Sequence, residues 1–142
     1  MSNGGTLLES RPKSVAQLSD AIEALVRPLR ERGVEVIVGV AVRRRLEPAA
    51  AACVHRAARE ILAHIAPQPT TLVIARVADS GPGVTLIIGH DRLPVTAPHL
   101  DWALGAGEPL GALGAALADR DGSLSRDRSS RFERFVATVP VD

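Results

Sequence analysis

The sequence is almost without aromatic residues: two Phe, one Trp and no Tyr among 142 positions. A core of ordinary size must therefore be assembled from Ala, Val, Leu and Ile. There is one cysteine, Cys53. That excludes an internal disulfide and a Cys-based metal set, and it suits a reducing cytoplasm. In its Ala-rich setting Cys53 reads as a small buried hydrophobe. Charge of one sign is also missing. Seventeen basic and sixteen acidic residues leave a net charge of +1, which gives no reason to expect nucleic acid or an acidic membrane surface as partner. The only basic run, Arg43-Arg44-Arg45, reads as a solvated turn between a strand and a helix. No apolar run approaches the length of a membrane span, and residues 1–10 lack the basic-then-apolar order of a signal peptide. His55, His64, His90 and His99 show no metal-ligand spacing. No Ser stands in a Gly-x-Ser-x-Gly setting.

What is present is a globular composition, 46% hydrophobic and 23% charged, of a length suited to one domain. A single Lys among the 17 basic residues, with many Ala, points to a GC-rich bacterial genome. Residues 1–13, with Gly4 and Gly5, read as a flexible leader, and 14–142 as one domain. Ser14 is suited to cap a helix whose apolar residues Val15, Leu18, Ile22, Leu25, Val26 and Leu29 recur at helical spacing. Pro28 is expected to disturb its last turns, and Gly33 to end it. Val34, Val36, Val38, Val40 and Val42 alternate as one face of a strand. Glu47 or Pro48 opens a second helix, closed by Pro67 and Pro69. Strands over 71–78 and 84–89 flank Asp79-Ser80-Gly81-Pro82-Gly83, whose residues suit a hairpin turn. A long loop over 92–106, a helix over 108–119 and a strand pair, 122–125 with 132–141, complete the chain. The order is α+β, with helices on one face of a mixed, mostly antiparallel sheet. Ile37, Ala41 and Ile87 put apolar surface on the other face as well, so a second copy or a partner protein is expected to cover it.

Gly107-Glu108-Pro109-Leu110, the helix after it and the turn at Gly122-Ser123-Leu124 resemble the Gly-x-Gly-Leu box, helix and turn of histidine kinase ATP-binding domains. Phe135-Val136-Ala137-Thr138-Val139-Pro140 is similar to the last strand of that family, and the helix around Glu60 to the one carrying its N-box. The resemblance is to the GHKL, or Bergerat-fold, ATPases of the nitrate-sensor type of sensor kinase, and it spans about 14–141. It implies a two-layer α+β sandwich and a nucleotide pocket with identifiable boxes.

Those boxes are altered. In the family an N-box Glu activates the reacting group, and an Asn one turn later helps to hold Mg²⁺. Here the resemblance puts Glu60 in the first place and His64 in the second, and imidazole suits a hard cation poorly. An Asp-x-Gly-x-Gly box, whose Asp recognises the adenine amino group, falls at 90–94. Its Asp is replaced by His90 or displaced to Asp91, and Arg92 and Pro94 stand in place of the glycines. Asp79, Gly81 and Gly83 match that box literally, but taking them leaves one strand where the fold needs two. In the third box Gly107 and Leu110 remain. Pro109 removes an amide donor and Glu108 sets a negative charge beside the phosphates. No His precedes His55, so a phosphoacceptor helical hairpin is not expected.

The resemblance with these losses implies a degenerate, non-catalytic domain that binds no cofactor. It would act by contact with a histidine kinase, a response regulator or a second copy of itself. Two alternatives follow. One is a divergent enzyme of sensor-kinase or anti-sigma-factor type that binds Mg-ATP through Glu60 and the Asp79, Gly81, Gly83 segment. The other is a remodelled pocket in which His64, His90 and Glu108 hold a different small ligand.

Overall fold

The computed structural model describes residues 14–91, 110–129 and 131–141. The expected leader at 1–13, the whole loop at 92–106 and the box residues Gly107, Glu108 and Pro109 lie outside them. Helix α1 (Val15–Glu31) starts where Ser14 Oγ accepts from the Gln17 amide at 3.2 Å. Leu18, Ile22, Val26 and Leu29 form its buried stripe. Pro28 does not interrupt it, and the helix runs on to Glu31. The proline sits on the exposed side, where the amide it lacks goes unmissed by the core. Gly33, at φ +90°, then turns the chain into strand β1 (Glu35–Ala41).

Helix α2 (Pro48–Ile65) has Pro48 at its first position and eight buried residues, five of them alanine or valine. Such small side chains let it lie close to both α1 and the sheet. It carries the chain from β1 across to β2 (Leu72–Ser80), which explains why those two strands are parallel. β2 then turns directly into β3 (Gly83–Asp91), antiparallel to it from Val73↔His90 to Ser80↔Gly83. Helix α3 (Gly111–Ala118) is shorter than the sequence suggests: its N-cap is Leu110, and it buries Leu113 and Leu117. Strands β4 (Ser123–Arg128) and β5 (Phe132–Pro140) close the fold. The sheet order is β1-β2-β3-β5-β4, with every pair after the first antiparallel.

The core lies between the sheet and the helices. Val73, Ala75, Val77, Val84, Leu86, Ile88, Phe135, Ala137 and Val139 point into it. No residue of β4 is fully buried, as befits an edge strand. The opposite face is open in this chain and partly apolar: Ile37 is 49% exposed, and Ile74, Ile87 and Val136 are half-buried. Arg76, Arg134 and Asp127 bring charge to it, the last two joined at 3.0 Å. The arginine run at 43–45 does more than face water. The Arg43 amide and the Arg44 guanidinium both donate to the Asp79 carboxylate, at 2.8 and 3.2 Å, and tie the β1–α2 loop to the hairpin.

Candidate functional site

Antiparallel pairing puts the two ends of the β2–β3 hairpin at opposite ends of the sheet. At the turn end are Asp79, Gly81 and Gly83. Asp79 is held by Arg43 and Arg44, Gly81 has φ +30°, and Gly83 lies so close to β5 that an added Cβ would stand 2.0 Å from the Val139 carbonyl oxygen. At the other end are His90 and Asp91, with the C-terminal turn of α2 above them. His64 reaches down from that turn, its ring edge-on to Phe135 with centroids 5.6 Å apart. Of the residues singled out above, the structure thus brings His64 and His90 into one neighbourhood. It sets Asp79, Gly81 and Gly83 apart from them.

His90 is fully buried. Its Nε2 lies 2.9 Å from Glu133 Oε1, and its Nδ1 lies 2.9 Å from the Asp91 carbonyl oxygen. Both ring nitrogens thus have a partner within the protein. Glu133, across the strand pair from His90, is 3% exposed, and its second oxygen accepts from Arg126 Nε at 2.6 Å. Arg126 also stands over the Phe135 ring, 5.7 Å from its centroid. Burial by itself would raise the Glu133 carboxyl; the His90 hydrogen bond and the Arg126 charge outweigh it and hold the group at about 2. Burial pulls the His64 imidazole below its ordinary range. Glu133 opposes this, while Arg126 and His90 add to it, so the net effect favours the neutral ring.

Asp91 is equally occupied. Its Oδ1 accepts from Thr70 Oγ1 at 2.6 Å and from the amides of Thr71 and Leu72 at 2.8 and 2.9 Å. Its Oδ2 accepts from Thr71 Oγ1. Burial works against the charge, yet these donors hold the carboxyl well below the usual carboxylate range. Asp91→Ala is expected to lower the unfolding free energy by about 2 kcal/mol, because it strips several donors of a charged acceptor. Urea denaturation checks this, and a loss under about 0.5 kcal/mol would show that water replaces the carboxylate without penalty.

Glu60, one turn before His64, is ion-paired with Arg56 of the same helix at 2.7 Å. Leu110 is half-buried at the start of α3, and Gly107 lies outside the described residues. No group of three or more His, Cys, Asp or Glu suited to a metal occurs among the described residues. No helix among them is long and apolar enough to cross a membrane. Sequence reasoning missed Glu133 and Arg126. A signal existed for Glu133: it falls on the alternating buried stripe of Phe135, Ala137 and Val139, where an acid is out of place without a partner. Cys53 is half-buried rather than buried, because it faces the gap between α2 and α3.

Solved structures with this fold include histidine kinase catalytic domains. The kinase domain of the blue-light activated histidine kinase of Erythrobacter litoralis EL346 superposes with a TM-score of 0.68 at 13% identity over 89% of this chain. This chain spans 64% of that one. The catalytic domain of the histidine kinase ThkA matches with a TM-score of 0.60 at 10% identity, covering 87% of this chain and 92% of its own. The histidine kinase domain of the E. coli osmosensor EnvZ gives 0.59 at 13% identity, covering 86% and 84%. No protein-family model and no curated protein matches the chain. The chain therefore has the fold of a histidine kinase catalytic domain, a mixed five-stranded sheet with its helices on one side.

Proposed function

We propose that this chain is a degenerate histidine kinase-like module that works in bacterial signalling by protein contact, without ATP chemistry. One observation carries the reading. In either register of the adenine box, the side chain that should meet the base is already committed within the protein. His90 is buried with both nitrogens hydrogen-bonded, and both oxygens of Asp91 are taken by Thr70, Thr71 and Leu72. Recognition of an adenine amino group needs an acceptor aimed at the base. Both nitrogens of His90 are already partnered, and turning the Asp91 carboxylate towards a base would break the bonds that hold it to Thr70, Thr71 and Leu72. Glu60 is paired with Arg56 of its own helix. The nitrate-sensor type and cytoplasmic setting follow from the box resemblance and the single unpaired cysteine.

The partner on this reading is a histidine kinase, a response regulator or a second copy. The open sheet face around Ile37, Ile74, Ile87 and Val136 offers it apolar contact area. Titration with a fluorescent ATP analogue and Mg²⁺, followed by calorimetry with ATP itself, tests the loss of chemistry. The expected result is no saturable binding in the low micromolar range. Saturable binding there would overturn the proposal in favour of a divergent kinase-like enzyme.

A further inference from the structure

Helices α2 and α3 do not close on each other. Between them lies a cavity of about 300 Å³, within the size range of small-ligand pockets. Its apolar lining is built from Ala49, Ala52, Leu113, Ala116 and Leu117. The three alanines explain the space, since larger side chains at these helix positions would fill it. Its polar lining is cationic: Arg56 and Arg59 from α2, and Arg120 from just beyond the end of α3. One carboxylate, Glu60, answers the three guanidiniums, through Arg56 alone. Arg59 and Arg120 have no ion-pair partner among the described residues. Cys53 and His55 complete the wall.

Arg56 and Arg120 line the cavity from α2 and from beyond the end of α3, and both act on Cys53. Burial raises the Cys53 thiol, while Arg120 and Arg56, from opposite sides of the gap, both pull it down. Three arginines answered by one carboxylate at the mouth of an apolar cavity attract an anion and give its apolar part a place to go. This cavity lies away from the His64, His90 and Glu133 cluster, which shares no lining residue with it.

We propose that the α2–α3 cavity binds a small amphiphilic anion, a carboxylate or phosphate monoester with a short apolar body. Arg56 and Arg120 hold the head, and the alanine–leucine wall takes the body.

Cys53 is the only cysteine and lines the cavity, so it reports directly on it. Its labelling by the anionic sulfonatoethyl and the cationic trimethylammonioethyl methanethiosulfonates is followed by mass spectrometry, each rate divided by that of glutathione. The anionic reagent is expected to be favoured by about tenfold. That preference disappears in the Arg56→Gln, Arg120→Gln double variant. Octanoate or octyl phosphate protects Cys53 saturably from both reagents, whereas octylammonium does not. Whichever of the two anions protects at the lower concentration identifies the head group. Ala116→Leu, which fills the cavity and leaves the arginines in place, abolishes the protection. Equal rates for the two reagents, or no protection by either anion, would overturn the proposal.

Discussion

Glu133→Ala is expected to destabilise the protein by roughly 3–4 kcal/mol, because it leaves a buried histidine and an arginine without their shared carboxylate. The side chain is 3% exposed and accepts from His90 at 2.9 Å and from Arg126 at 2.6 Å. Removing the carboxylate leaves the fully buried His90 ring without its partner in a place water does not reach. Urea denaturation at pH 7 measures the effect, and a loss below about 1 kcal/mol would mean the cluster contributes little. Replacing both partners separates desolvation from packing. The His90→Leu, Glu133→Leu double variant should be less damaged than Glu133→Ala alone, since Arg126, partly exposed, is able to turn to solvent.

The same carboxylate sets an acid limit. Its ordinary value is 4.5, and in the folded protein it is held at about 2. A carboxyl depressed by folding stabilises fully above its unfolded value, and that stabilisation fades as pH falls through the folded one. Stability should therefore drop between about pH 4.5 and pH 2, with Asp91 acting in the same sense. The Glu133→Ala variant should show a flatter profile across that window.

Gly83→Ala is the second large effect, expected at about 3 kcal/mol, against about 1 kcal/mol for Gly81→Ala. At Gly83 an added Cβ would meet the Val139 carbonyl oxygen at 2.0 Å and Pro140 Cα at 2.6 Å. Both are backbone atoms of the neighbouring strand, so no side chain can swing aside, and β3 must part from β5. Gly81 has open space around it and carries only the penalty of φ +30°. Comparing the two urea midpoints checks the ranking. Equal losses would show that turn conformation, and not strand approach, explains both glycines.

The hairpin glycines show where letters and structure part. Asp79-Ser80-Gly81-Pro82-Gly83 spells a nucleotide box, and it is also a good turn. Sequence alone ranks these readings by whether enough strands remain. The structure places the segment at the end of the sheet away from His64 and His90, with Asp79 used to anchor Arg43 and Arg44. The conformational demand at Gly81 was visible in the turn composition. The crowding at Gly83 was not, because it depends on the pairing with Pro140.

The amino-acid sequence by itself determined the elements and their order. Ser14 before a helical stripe, the alternating valines of β1, Pro48 at the head of α2 and the hairpin turn are local signals, set by neighbours a few residues away. They suffice for an α+β layer, and apolar residues on both sides of the strands were legible in the same way. Only the tertiary structure decided what the chemically marked residues are bonded to. His90 and Glu133 lie 43 residues apart, and they meet because β5 inserts between β3 and β4. Hydrogen-bond satisfaction is a property of that meeting, since a side chain's free or committed state depends on partners that local periodicity does not encode.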